Sequence, residues 1–132
     1  MKRNAHIIGS ILFAILGTIS IKIVMSQSVP NNFLNLLKIL LNMRVYIFLI
    51  MIGSSVFGGL IPDILDPPFT KRHRRYAHSK ILFFIFIILI GITSILISFQ
   101  SNNLILWSIY YFLIGYISHL ILDSFTPAGL WS

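Results

Sequence analysis

The 132-residue sequence is too short for two ordinary domains, and its 57% hydrophobic and 10% charged residues exclude a typical soluble globule. The net charge of +7 comes from basic residues between apolar runs, which is typical of membrane topology signals rather than of nucleic-acid binding. The absence of cysteine excludes disulfides and thiol ligands, so a metal would have to be bound by imidazole and carboxylate groups.

Four apolar runs predict four transmembrane helices, since each is close to the ~17–25 residues that cross a bilayer. The runs are residues 7–25, 45–61, 81–99 and 104–122. We therefore predict an all-α fold, an integral membrane protein with one transmembrane domain over residues 1–132. A cleaved signal peptide is the alternative for the first run, but no small-residue cleavage site follows it.

The connections between the spans carry local signals of their own. Residues 33–41 (FLNLLKILL) are apolar but too short to cross, and they predict a short interfacial helix. Residues 101–103 (SNN) predict a tight turn between the third and fourth spans. Aromatic residues near the span ends predict an interfacial belt rather than a substrate cage. These are Trp107, Tyr110, Tyr111, Tyr116 and Trp131.

The basic residues also predict the orientation. Two of them precede the first span and five lie in the segment 62–80, whereas the opposite side carries only Lys38 and Arg44, and no Lys or Arg follows Lys80. With four crossings, both termini and the segment 62–80 lie on the same side of the membrane. The excess of positive charge indicates that this side is cytoplasmic. We therefore predict a multi-pass protein of the cell (inner or plasma) membrane with both termini in the cytoplasm.

All acidic and histidine side chains fall on this predicted cytoplasmic face. They are His6, Asp63, Asp66, His73, His78, His119 and Asp123. His119 and Asp123 are four residues apart, so on a helix they lie on one face, one turn apart. Such a pair can place an imidazole nitrogen and a carboxylate oxygen on one ion. Ionisable groups in a transmembrane segment are costly and usually functional, so the cluster predicts a metal site.

The segment 62–80 (PDILDPPFTKRHRRYAHSK) is the richest in such groups. Its prolines, Pro62, Pro67 and Pro68, are expected to end the second helix and to keep the backbone extended around Asp63 and Asp66. Arg74 and Arg75 suit a phosphate, because Arg donates paired hydrogen bonds. Two plainer interpretations stay open: the cations act only as a topology signal, and Asp66 only initiates a turn before Pro67.

Two segments resemble a known family. Residues 115–129 (GYISHLILDSFTPAG) and 73–79 (HRRYAHS) resemble signatures of the YdjM-like, LexA-binding, inner membrane-associated hydrolases, often described as membrane-bound metal-dependent hydrolases. Residues 62–67 and 5–6 resemble weaker elements of the same family. The sequence departs from the family pattern at Asp66, where the spacing is longer and no histidine follows, and at Arg75 and Ala77, which replace glycine and threonine.

The resemblance implies a metal-dependent hydrolase at the membrane surface, and a lipid-linked phosphoester is the expected substrate. The expected metal ligands are His6, Asp63, His73, His78, His119 and Asp123. Catalytic roles are expected for Asp63, His78 and Asp123, and substrate binding for Arg74 and Arg75. Imidazole and carboxylate ligands favour zinc, with manganese as the second choice. The expected partners are the lipid bilayer and an anionic lipid head group, with no nucleic acid.

Two alternatives to a hydrolase are open from the sequence. In the first, the protein is not catalytic: a structural metal site only ties the segment 62–80 to the first and fourth spans, and this basic segment binds a partner. In the second, the protein transports a metal ion or protons. Transport sites usually lie at mid-membrane depth, where this sequence places no acid or histidine.

Overall fold

The computed structural model is all-helical over the residues it describes, which are 3–26, 34–35, 38, 44–65 and 78–125. Within these residues it confirms the predicted fold class, because four helices are long and apolar enough to cross a membrane. They are α1 (Arg3–Ser26), α2 (Val45–Leu65), α3 (Lys80–Phe99) and α4 (Leu104–Ser124). Of the predicted interfacial helix 33–41, residues 34, 35 and 38 are helical and exposed, and the rest lies outside the described residues.

Side-chain caps define where the last two helices begin. Asn103 precedes α4, and its side-chain oxygen accepts a hydrogen bond from the backbone N–H of Ile105 at 3.1 Å. Ser79 precedes α3, and its hydroxyl oxygen accepts from the N–H of Leu82 at 3.2 Å. Each cap satisfies a donor that the first turn of a helix leaves without an intrahelical partner. The tight turn predicted at residues 101–103 is confirmed.

The prediction that Pro62 ends the second helix is wrong. α2 continues through Pro62 to Leu65, so Asp63 lies on the helix and not on an extended segment. Proline removes one N–H from the helical ladder, which here affects only the last turn. Membrane helices tolerate this loss because neighbouring helices satisfy the freed backbone groups. The expected effect of Pro67 and Pro68 lies outside the described residues.

α4 is the central helix of the bundle. It packs against α1, α2 and α3, whereas α1 and α3 contact each other only slightly. In its most apolar 18-residue window 61% of the residues are buried inside the bundle, compared with 11% for α3. Functional side chains on α4 are therefore shielded from lipid by three other helices.

Glycines allow α2 and α4 to approach closely. A Cβ atom added at Gly58 would meet the backbone of Phe112, with its carbonyl carbon at 2.9 Å. A Cβ atom at Gly115 would meet the backbone of Ser55, with its carbonyl carbon at 2.7 Å. Both distances are shorter than ordinary van der Waals contact, so these positions require glycine. This close packing is the usual role of small residues in membrane helices.

The prediction of an interfacial aromatic belt is wrong for Trp107, Tyr110, Tyr111 and Tyr116, which are at most 3% exposed and lie inside the bundle. Their burial is possible because polar atoms find partners there. The Tyr110 hydroxyl donates to the Gly17 carbonyl at 3.0 Å, and the Tyr111 and Thr18 hydroxyls are 2.9 Å apart. Buried tyrosines normally have such partners. Trp131 lies outside the described residues.

Candidate metal centre

One end of the bundle collects the acidic and histidine side chains that the structure describes. His6 is in the first turn of α1, Asp63 is in the last turn of α2, and His78 directly precedes the cap of α3. His119 and Asp123 are in the last two turns of α4. The up-and-down path of the chain places all of these positions at the same end.

The five side chains converge through their outer atoms. His119 Nε2 is 3.1 Å from His78 Nε2 and 3.4 Å from Asp123 Oδ2, and His78 Nε2 is 3.2 Å from the same carboxylate oxygen. His6 Nε2 is 3.6 Å from Asp123 Oδ1. Asp63 Oδ1 is 3.5 Å from His119 Nε2 and 3.8 Å from His78 Nε2. All three histidines therefore present the same ring nitrogen to one small volume.

These separations fit donors that share a metal ion. Two ligands of a tetrahedral zinc ion, each at about 2.1 Å from it, are about 3.4 Å apart. The measured nitrogen and oxygen separations of 3.1–3.8 Å lie around that value. The donors form two groups of three, and within each group all ligand atoms lie within 4.8 Å of one another, close enough to bind one metal ion. The two groups share His119. One group adds His6 and Asp63, and the other adds His78 and Asp123.

The His119 ring is held in the tautomer that a metal requires. Its Nδ1 is 2.6 Å from the carbonyl oxygen of Gly59 across the α2–α4 contact. A carbonyl only accepts hydrogen bonds, so Nδ1 carries the proton and the neutral ring has a free lone pair on Nε2. Hydrogen bonding of the second ring nitrogen is usual for metal-binding histidines. The His6 ring stacks on His119 with centroids 3.8 Å apart and restricts its rotation.

The site is buried on one side and open on the other. His6, His78, His119 and Asp123 are at most 1% exposed, whereas the Asp63 side chain is 40% exposed. A buried carboxylate is costly unless a positive charge compensates it. One divalent ion would neutralise the two carboxylates of Asp63 and Asp123. The donor types, their separations and their charge all fit such an ion.

Serine side chains support the turns that carry two of the donors. The Ser10 hydroxyl donates to the carbonyl of His6 at 2.6 Å, and the Ser118 hydroxyl donates to the carbonyl of Gly115 at 2.7 Å. The two hydroxyl oxygens are 3.2 Å apart, so α1 and α4 are in close contact beside the candidate metal centre. These serines satisfy their own hydrogen bonds, which indicates a structural role and not a nucleophilic one.

The remaining sequence candidates cannot be placed. Asp66, His73, Arg74 and Arg75 lie outside the described residues, so their assigned roles stay predictions. Sequence reasoning missed the carbonyl of Gly59 as the partner of His119. The spacing of Ser55 and Gly59 does indicate close helix packing, but it does not show which carbonyl faces the histidine.

The comparisons with known proteins agree with this description. The sequence matches the family described as YdjM inner membrane protein over residues 1–131. No curated protein and no solved structure has a significant match to the sequence. The family match covers nearly the whole chain and includes all five converging residues. The chain is therefore a membrane protein that belongs to the YdjM inner membrane protein family.

Proposed function

We propose that this protein is a metal-dependent hydrolase at the cytoplasmic surface of the membrane, with a lipid-linked phosphoester as its substrate. One observation carries the proposal: three imidazoles and two carboxylates from four parts of the chain converge with contacts of 3.1–3.8 Å between their ligand atoms, and one of these donors is accessible. Structural zinc sites are closed, whereas catalytic sites keep an open position. The exposure of Asp63 supports the catalytic type.

The ion would be held by His6, Asp63, His78, His119 and Asp123. Each of the two overlapping groups provides two imidazoles and one carboxylate, a set typical of catalytic zinc sites. Zinc is therefore the favoured ion, and manganese is the second choice. A bound divalent ion supplies Lewis-acid chemistry, which polarises a phosphoryl oxygen and acidifies water. His73 would be a further ligand if its segment brings it to the site.

The chain's own residues have distinct roles in this proposal. Asp63 is the accessible carboxylate, so it would accept a proton from the attacking water. His78 and Asp123 are buried and 3.2 Å apart, so the packing around each side chain holds the other in position for the ion. His119 is fixed by Gly59 and cannot turn away from the site. The burial of four of the donors limits the access of bulk water to the site.

The substrate class follows from charge and location. In the sequence, Asp63 precedes the segment 66–77 and His78 follows it, and the side chains of these two residues are 3.8 Å apart. The segment carries Arg74 and Arg75, which suit binding of a phosphate group. A site at the end of a transmembrane bundle is accessible to lipid head groups. These three points support a membrane phosphoester over a soluble substrate.

The first test is the metal content of the purified, detergent-solubilised protein and of the variants His119→Ala and Asp123→Ala. Asn102→Ala, at the opposite end of the bundle, is the control. We expect about one zinc or manganese ion per chain in the wild type and the control, and loss of the ion in both site variants. Wild-type protein that binds no metal after reconstitution with each ion would rule out the mechanism.

A second measurement separates an enzyme from a structural metal site. Wild-type protein with bound metal is incubated with phosphoester lipids, and phosphate release is compared with that of Asp63→Asn. We expect hydrolysis to fall at least 100-fold in Asp63→Asn while much of the metal is retained. If cellular function survives in a folded His119→Ala variant that has lost the metal, the structural-site alternative is correct.

A further inference from the structure

A second polar site lies at the end of the bundle opposite the metal centre. A pocket of about 200 Å³ is formed where the last turns of α1, the start of α2 and the turn between α3 and α4 meet. Lys22 comes from the last turns of α1, Arg44 directly precedes α2, and Ser101 and Asn102 come from the turn between α3 and α4. The pocket is therefore lined by two cations and two neutral hydrogen-bonding side chains.

Among the described residues, Lys22 and Arg44 have no acidic partner at this end. The two acidic residues that the structure describes, Asp63 and Asp123, are both at the candidate metal centre, at the other end of the bundle. The Tyr46 hydroxyl accepts from Arg44 Nη1 at 2.7 Å, which uses one of the five donors of the guanidinium. The pocket is therefore complementary to an anion.

An apolar groove adjoins this pocket. It has a volume of about 500 Å³ and is bounded by α1 and α3, with α4 as its floor. Met25 lines both the groove and the polar pocket, so the two are contiguous. Its walls are open to the surrounding lipid, because Leu16 is 60% exposed and Ile95 is 59% exposed. The volume is within the range of about 300–1,000 Å³ that is usual for small-ligand sites.

We propose that this end of the bundle binds an anionic phospholipid. Its phosphate lies between Lys22 and Arg44, and one acyl chain lies in the groove between α1 and α3. A free phosphate would leave the adjoining groove without a function, whereas a phospholipid fills both parts. A zwitterionic lipid is disfavoured, because the described residues at this end include no carboxylate for its ammonium group. This site is separate from the metal centre and does not depend on the proposed hydrolase activity.

The proposal is tested by lipid binding to delipidated protein in detergent, measured by native mass spectrometry. Phosphatidylglycerol is compared with phosphatidylcholine of the same acyl chains, and with glycerol phosphate as the head group alone. We expect phosphatidylglycerol to bind at least tenfold more tightly than phosphatidylcholine, and glycerol phosphate to bind far more weakly than either. Equal binding of the two lipids by the wild type would overturn the proposal without any variant.

Substitutions of the two cations test whether the lipid phosphate binds in the polar pocket. Two cations near the membrane surface each contribute about fivefold, so Lys22→Gln combined with Arg44→Gln should weaken phosphatidylglycerol binding roughly 30-fold. Lys80→Gln removes an exposed cation at the metal-centre end and should change nothing. Unchanged binding in the folded double variant would place the lipid elsewhere.

The groove is tested at an exposed position, so that the fold is preserved. Ser20 lines the groove and is exposed, and Ser20→Phe should obstruct the acyl chain and weaken phosphatidylglycerol binding at least fivefold. Ile88→Phe, which is also exposed but is not part of the groove, is the control. If Ser20→Phe binds the lipid as the wild type does, the acyl chain does not occupy this groove and the proposal fails.

Discussion

Replacing Gly115 by alanine is expected to separate α2 from α4 and so to weaken metal binding. The added Cβ atom would lie 2.7 Å from the carbonyl carbon of Ser55 and 2.9 Å from its Cα atom, and closer still to its carbonyl oxygen. Ordinary van der Waals contact begins at 3.4 Å. Backbone atoms cannot rotate away as a side chain can, so the two helices must move apart by roughly 1 Å.

The metal centre is one helical turn away and would feel this movement. The hydrogen bond from His119 to the Gly59 carbonyl is 2.6 Å long, and a shift of about 1 Å would lengthen it to about 3.6 Å, which is no longer a hydrogen bond. Loss of such a supporting contact typically costs 10–100-fold in metal affinity. Overpacking should also cost about 1–3 kcal/mol of stability, partly offset by the helix propensity of alanine.

The assay is a competition between the protein and a zinc-binding dye, together with thermal unfolding in detergent. Gly53→Ala on α2 and Gly91→Ala on α3 are matched controls, because nothing lies within 4 Å of an added Cβ atom at either position. Both controls should keep the wild-type affinity and be equally stable or slightly more stable. A Gly115→Ala protein with wild-type zinc affinity and melting temperature would refute the close α2–α4 contact and the role of Gly59.

Three further perturbations test other parts of the structure. Removing the ion with a chelator should lower the melting temperature. Adding zinc at 100 times its dissociation constant should increase the free energy of unfolding by about 2.7 kcal/mol. An unchanged melting temperature would contradict a metal that joins the helices. Ser79→Ala removes the helix cap beside His78, so it should lower the stability of the protein by about 1 kcal/mol and weaken zinc binding. Ser79→Asp should restore both properties. Stability is measured by the melting temperature, and zinc affinity by dye competition. Tyr111→Phe should lower stability by about 0.6 kcal/mol, because the hydroxyl contact with Thr18 is lost. The metal content, measured by elemental analysis, should not change. Loss of the ion would show that this mid-membrane contact supports the metal site.

The four spans could be predicted because lipid imposes a simple rule on length and hydropathy. The hydropathy of the spans also indicates which helix is central. The interpretation of the aromatic residues as an interfacial belt did not use this information. α4 has the lowest mean hydropathy of the four candidate spans, 1.7, and α3 has the highest, 3.0. In a membrane the least apolar helix is the one that other helices should enclose. The tyrosines of α4 therefore belonged in the interior and not in a belt.

The candidate site was partly predictable for a different reason. His119 and Asp123 are one helical turn apart, and the topology places His6 and His78 at the same end as this pair. Asp63 was predicted at the same end of the bundle as the other donors, which the structure confirms, but in an extended segment, which is wrong because Pro62 does not end α2. The contact between His119 and the Gly59 carbonyl depends on the register between α2 and α4, and hydropathy does not determine that register.

The division of the five donors along the chain has a consequence for biosynthesis. α1 and α2 carry only His6 and Asp63, and the other three donors belong to the second half of the chain. A nascent protein with two helices in the membrane therefore has fewer donors than the three that catalytic zinc sites use. A complete set of donors would therefore require insertion of α4, which follows the other three helices in the chain. A bound ion would thus mark a chain in which all four helices have come together, and shortage of the metal would leave the five donors without the ion that links them.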